Sequence, residues 1–252
     1  MLNTISRHWL AGMGPLLFAL AACGGSSDGG SGSVAPPAGG GGGTGGTSTP
    51  LSFAQAPALA PAPSALPVVA ARNICENVAL GNRRVENLRV PDGAACVLDD
   101  GTVIDGNIEV GSDASLFARG VRVDGNIQGQ RSRDVVVERS LLQGSVQIED
   151  GGSVGVYEST IDGNIQLDRS AGGLYVLGNR LDGNIQLFRN RAGATVNDNR
   201  LDGNIQIEET RGALEISRNR ANGNLQCKQN DPAPTGAGNI ADSLEDQCRG
   251  LA

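Results

Sequence analysis

Asp182-Gly-Asn-Ile-Gln-Leu-Phe-Arg-Asn-Arg-Ala-Gly-Ala-Thr-Val-Asn-Asp-Asn-Arg-Leu201 is one full repeat of this chain. Its opening pentapeptide recurs with little change, with the glycine at Gly106, Gly125, Gly144, Gly163, Gly183, Gly203 and Gly223, at intervals of 19, 19, 19, 20, 20 and 20. That period is too short for a helix-turn-helix repeat or a propeller blade. It suits one coil of a β-solenoid, in which each repeat covers the apolar face of the one before. Within the repeat, Ile185-Gln186-Leu187 alternates in, out, in, as a strand with one buried face must.

Laying the repeats over one another turns single residues into columns. Ile108, Ile127, Val146, Ile165, Ile185, Ile205 and Leu225 form one inward stack. Val110, Ile148, Leu167, Leu187, Ile207 and Cys227 form a second, with Gly129 as the gap. A further strand supplies Leu116, Val135, Val154, Leu174, Ala194 and Leu214, each with a partner two residues on, such as Val176, Val196 or Ile216. Between strands, the repeated glycine reads as a turn residue free to take positive φ. Asn107, Asn126, Asn164, Asn184, Asn204 and Asn224, with Ser145 as the exception, stack as an amide ladder, and Asn179, Asn199 and Asn219 form a shorter one. The aspartates Asp105, Asp124, Asp162, Asp182 and Asp202 would repel one another down their column, and Arg122, Arg180, Arg200 and Arg220, two residues earlier, supply a basic row to screen them.

These coils resemble those of right-handed parallel β-helix proteins, the architecture of pectate lyases and of many secreted bacterial surface proteins. The stretch from Gly223 to Ile240, with Glu245 to Leu251, resembles the ending of a group of secreted bacterial proteins without assigned activity. The resemblance covers about residues 73–252. A left-handed hexapeptide helix fits worse, because its coils are multiples of six with an apolar-Gly hexad that is absent here. The expectation is therefore an all-β, single-stranded right-handed parallel β-helix of roughly seven to nine coils, capped at both ends, with helix only near residues 240–247.

An open solenoid end exposes apolar side chains and unpaired strand edges. Cys75 and Cys96 are 21 residues apart, as are Cys227 and Cys248, close to one coil. Adjacent coils lie about 4.8 Å apart, within the Cα window of a disulfide. Both pairs are expected to be bridged across neighbouring coils near the ends, with Cys227 in the slot of Ile207 and Cys96 in that of Leu116 if one residue of Asp99-Asp100 is an insertion.

The chain begins with a basic start (Arg7, His8) and an apolar stretch from Trp9 to Ala22, which reads as a signal peptide over residues 1–22. Its end, Leu20-Ala21-Ala22-Cys23, resembles the lipobox of bacterial lipoproteins, which implies that Cys23 carries a diacylglyceryl group as the mature N-terminus. By the same resemblance, Gly24 after the cysteine, instead of Asp, implies the outer membrane, on its periplasmic or its cell-surface face. Residues 23–72 follow as a tether, Gly/Ser-rich and then Ala/Pro-rich, with no apolar periodicity to bury. Its Gly-rich part alone has an r.m.s. span of about 30 Å, which suits work away from the membrane or a generic spacer.

Beyond residue 22 there are 19 Lys+Arg against 27 Asp+Glu, a formal charge of −8, which makes nucleic acid an improbable partner. The one His (His8), the one Trp (Trp9) and both Met (Met1 and Met13) of the chain all lie in residues 1–22, so the part beyond has no imidazole and a single lysine, Lys228. Ser-His-Asp and Cys-His catalysis are excluded, as is a metal site that depends on histidine. No cofactor and no metal are implied.

Two outward features remain. Glu109, Gln128, Gln147, Gln166, Gln186, Gln206 and Gln226 form a flat row about 30 Å long. It could lie along a surface polysaccharide or an envelope protein, or its amides could simply stack and keep a strand face soluble. Beside it, Glu149 and Asp168 share a slot in neighbouring coils, with Asp150, Glu208 and Glu209 close by. Paired carboxylates are what a glycoside hydrolase or a calcium-assisted polysaccharide lyase needs, yet no Asp-rich, Arg/Lys-bearing motif of such lyases is legible. The expected function is a non-catalytic cell-envelope lipoprotein presenting a rigid solenoid. The alternative is a β-helix lyase or hydrolase using Glu149 and Asp168.

Overall fold

The computed structural model describes residues 73–252. The expected signal peptide over residues 1–22, Cys23 and the expected tether over residues 23–72 lie outside these residues. Three parallel sheets wind as a right-handed-type β-solenoid of about 20 residues per turn and about 8 turns. No helix occurs among the described residues. The longest sheet has nine strands, from Leu88–Val90 through Ile185–Phe188 to Leu244–Asp246. A second has eight, from Val78–Leu80 through Leu174–Leu177 to Leu214–Ser217. The third, also eight, consists of two-residue strands such as Arg180–Leu181.

The register follows the columns read from the sequence. Ile108, Ile127, Val146, Ile165, Ile185, Ile205 and Leu225 are successive partners, and so are Val110, Gly129, Ile148, Leu167, Leu187, Ile207 and Cys227. In the second sheet, Leu116, Val135, Val154, Leu174, Ala194 and Leu214 align, and Cys96 pairs with Leu116. These side chains are nearly all excluded from water and form one core cluster along the axis. Removing apolar surface from water is the main favourable term of folding. Here it exists only where one coil lies on the next.

The repeated glycine is required for a different reason than the sequence suggests. None of Gly106, Gly125, Gly144, Gly163, Gly183, Gly203 or Gly223 has positive φ. What they need is room: a Cβ on Gly203 would sit 2.5 Å from Asn184 Oδ1 and 2.6 Å from the Gly183 carbonyl oxygen. The turns stack so closely that a methyl group has no place. The positive φ values fall on other corners, at residues such as Arg169, Arg189 and Glu209.

Both asparagine ladders tie coil to coil through the backbone. In the first, the side-chain oxygen of each residue accepts the backbone N–H of its counterpart one coil on, as Asn126 N to Asn107 Oδ1 and Asn204 N to Asn184 Oδ1, both 2.8 Å. Ser145 Oγ does the same for Asn164 N at 2.9 Å, so the exception keeps the acceptor. In the second ladder, which is buried, Asn179 N and Asn199 N donate to Asn199 Oδ1 and Asn219 Oδ1, each at 3.0 Å. The Nδ2 groups of Asn199 and Asn219 also donate to the carbonyls of Val176 and Val196 at 2.7 Å. A third corner column, Ser132, Ser170, Asn190, Thr210 and Asn230, is buried as well and escaped the sequence reading because its residue type changes from coil to coil.

Both predicted disulfides are present, with Cα separations of 5.5 Å for Cys75–Cys96 and 5.2 Å for Cys227–Cys248. Each is expected to contribute about 2–4 kcal/mol by restricting the unfolded chain. A thiol assay on the denatured, unreduced chain carrying Cys23→Ser should find no free thiol; two or more would refute the pairing.

The carboxy-terminal end departs from expectation. Residues 240–247 are not helical: Ile240 bridges Arg220, and Leu244–Asp246 is the ninth strand, with Leu244 on Leu225. The strand edge of the last regular coil has backbone groups to satisfy, and an extended segment in register does this where a helix cannot. Bridges Arg211–Asp231 and Glu215–Thr235 continue the same irregular coil. The chain then folds back, burying Leu251, whose carbonyl oxygen accepts the N–H of Asn239 at 3.1 Å.

The screening of the aspartate column is narrower than expected. Arg84–Asp105 and Arg122–Asp124 are ion pairs of 2.7 and 2.8 Å. Among the described residues Arg180, Arg200 and Arg220 make none. Asp202 instead accepts a bond from Asn222 at 2.9 Å.

Candidate functional site

The glutamine row lies on the outer face of the nine-stranded sheet, and its residues are direct neighbours in register. Gln128 Nε2 donates to Gln147 Oε1 at 2.8 Å, and the pattern continues from Gln147 to Gln166, Gln166 to Gln186 and Gln186 to Gln206 at 2.9, 2.7 and 2.9 Å. Gln226 leaves the series and donates to Asp246 Oδ2 at 3.3 Å. An amide has two N–H groups and an oxygen with two lone pairs. Each inner glutamine therefore spends one donor and one acceptor on its neighbours and keeps the rest for solvent or a ligand.

Glu149 and Asp168 are partners in adjacent strands, as expected, and Asp150 joins them from the corner that follows. Arg169 lies in the middle of the three. Its guanidinium hydrogen-bonds Glu149, Asp150 (2.8 Å) and Asp168 (2.5 Å). Arg189 adds a fork onto Asp168 at 2.7 and 3.1 Å. The hydrogen bond from Arg169 holds the Asp150 carboxyl below the usual carboxylate range, and the same contacts raise the Arg169 pKa. A general acid needs the opposite shift, toward a protonated carboxyl near neutral pH. Glu208 is not part of this cluster: it aligns with Phe188 and Lys228. Among the described residues no group of three or more His, Cys, Asp or Glu could hold a metal ion.

Directly along the axis from this knot runs a groove of about 670 Å³ lined by Arg169, Arg189, Asn190, Arg191, Arg211 and Glu209. Sequence reasoning missed it. The signal was present, because Arg169 to Arg189 and Arg191 to Arg211 are each spaced by 20 residues, the period of the glycines. Residues Arg169, Arg189 and Glu209 occupy the corner with φ between 53° and 54°, and the same left-handed kink follows six consecutive strands of the longest sheet, from Ile127–Gln130 to Leu225–Lys228.

A second outward face is apolar. In the eight-stranded sheet that begins at Val78–Leu80, Val97, Phe117, Val136, Gly155 and Tyr175 are successive partners, all intermediate in exposure except the fully covered Gly155. Tyr157 stands beside them, and burial pushes its phenol pKa up.

Among the described residues, no helix is long and apolar enough to cross a membrane. Compared with models of protein families, with curated proteins and with solved structures, the chain matches none. What the structure itself supports is a parallel β-solenoid of about 8 turns.

Proposed function

We propose that the chain is a lipid-anchored protein of the bacterial envelope, on the outer membrane, whose solenoid serves as a rigid non-catalytic element for a binding or structural role at the surface. The observation that carries this reading is the Arg169 knot: the carboxylates best placed for hydrolase or lyase chemistry are bound to a guanidinium. Carboxylate oxygens held by a guanidinium in this way are engaged and not open to a substrate. Two disulfides fit an oxidising compartment, and the Leu20-Ala21-Ala22-Cys23 stretch supplies the anchor. The partner classes are a surface polysaccharide or an envelope protein, reached along the glutamine row at Gln128, Gln147, Gln166, Gln186, Gln206 and Gln226.

The test incubates the chain carrying Cys23→Ser with a panel of acidic and neutral polysaccharides, with and without calcium. Both binding and new reducing or unsaturated ends are scored. Binding without new ends, lost when Gln166, Gln186 and Gln206 become alanine, is the expected result. New ends that vanish in a Glu149→Gln, Asp168→Asn double variant would establish the lyase or hydrolase reading instead, and no binding at all would leave a structural spacer.

A further inference from the structure

We propose that the arginine groove is a binding site for a tetrahedral oxyanion, a phosphate group of a surface polymer or of a lipid headgroup, held between Arg191 and Arg211. The site is distinct from the glutamine row and needs no lipid anchor on Cys23.

Four arginines line the groove, but they are not equivalent. Arg169 commits four of its five N–H groups to Glu149, Asp150 and Asp168, and Arg189 commits two to Asp168. Arg191 and Arg211 make no ion pair and no side-chain hydrogen bond among the described residues, and both are exposed. They hold equivalent places on adjacent coils: the backbone N–H of Arg191 donates to the Ser170 carbonyl and that of Arg211 to the Asn190 carbonyl, both at 2.8 Å. Their side chains therefore leave the corner about 4.8 Å apart.

The floor beneath them is fixed. Asn190 is fully buried, and its amide is already engaged by Ser170 N (2.9 Å) and the Leu167 carbonyl (3.1 Å). Binding would therefore cost little ordering of the scaffold, since the backbone that carries both arginines is locked by interstrand bonds.

The chemistry of the ligand follows from the geometry. A carboxylate is planar and accepts one guanidinium fork well; the groove already contains such pairs. Two forks that arrive from different coils are matched by an acceptor whose oxygens are not coplanar. A phosphate supplies three such oxygens and at least one full negative charge. Glu209 also lines the groove and opposes an anion, so it weakens the site without blocking it.

The experiment titrates the full chain carrying Cys23→Ser with inorganic tripolyphosphate by calorimetry at low ionic strength, where exposed charges are least screened. A parallel arm measures flotation with phosphatidylcholine vesicles, plain or doped with phosphatidic acid. Saturable tripolyphosphate binding is expected. Arg191→Gln with Arg211→Gln should weaken it about tenfold or more, the loss of charge-assisted hydrogen bonds. Arg180→Gln with Arg200→Gln removes the same charge from the two-residue-strand sheet and should leave binding unchanged, whereas Glu209→Gln should tighten it. Flotation that requires phosphatidic acid and both groove arginines assigns the phosphate to a lipid; tripolyphosphate binding without flotation assigns it to a surface polymer. Absence of saturable binding to either probe, or an equal loss in the two double variants, would overturn the proposal. Circular dichroism of each variant confirms that the coils are intact.

Discussion

Replacing Asn199 by alanine is expected to destabilise the central coils by about 2–6 kcal/mol, from two buried polar groups left without partners at about 1–3 kcal/mol each. Asn199 is 1% exposed. Its oxygen accepts the Asn179 N–H at 3.0 Å, and its amide donates to the Val176 carbonyl at 2.7 Å. Alanine offers neither acceptor nor donor to these groups. Serine should cost less, because in earlier coils of the same column serine keeps the acceptor for the neighbouring N–H, although its hydroxyl donates within its own coil and leaves the Val176 carbonyl without its donor. There, Ser159 Oγ accepts the Ser140 N–H at 3.2 Å and donates to the Tyr157 carbonyl at 2.8 Å. The measurement is the urea midpoint followed by circular dichroism, with amide exchange at Asn179 as the local probe. Exchange matters because a solenoid can open one coil without unfolding as a whole. Equal midpoints for the alanine and serine variants would show that the ladder does not carry this energy.

The fold was legible because a solenoid repeats its requirements. The inward columns at Ile185 and Leu187 and the slot shared by Cys227 and Ile207 could each be read by subtraction of 19 or 20 from a residue number. Where a requirement can be met by several residue types, repetition fades and so does the reading. The corner column through Ser170, Asn190 and Thr210 is one case, since serine, asparagine and threonine all fit a small buried polar corner. The last coil is another. Its one regular demand is pairing for the strand edge at Leu225, which Leu244 meets through backbone atoms that any sequence could supply.

The candidate site was read less completely, because side chains leave a solenoid in directions the period does not specify. The sequence places Glu149 beside Asp168 but does not say that Arg169, next in the chain, turns back across both. That turn depends on the left-handed backbone at Arg169, with φ of 54°. Left-handed conformation in a non-glycine residue is uncommon, and nothing in Asp168-Arg169-Ser170 announces it. The glycines show the same limit from the other side: their column was found at once, yet the cause was close stacking at Gly203 and not backbone freedom.

The largest effect is expected at Cys23, where serine should move the protein from the membrane fraction to the soluble fraction and abolish incorporation of labelled palmitate. One acyl chain gives only marginal membrane binding, and two or more make it effectively permanent, at about 0.8 kcal/mol per buried CH₂. On the proposed lipidation, the substitution removes every acyl chain at once. Among the described residues no helix is long and apolar enough to cross a bilayer. The apolar row at Val97, Phe117, Val136 and Tyr175 is half covered by its own sheet neighbours and flanked by the charged pair Arg119–Glu138, 2.9 Å apart. Burying that pair in lipid would cost more than so narrow a strip returns. Fractionation after a high-salt wash is the check, because salt also screens any attraction between the arginine groove and lipid phosphate. If Cys23→Ser protein still pellets with the membranes under that wash, lipidation is not what holds this solenoid at the surface.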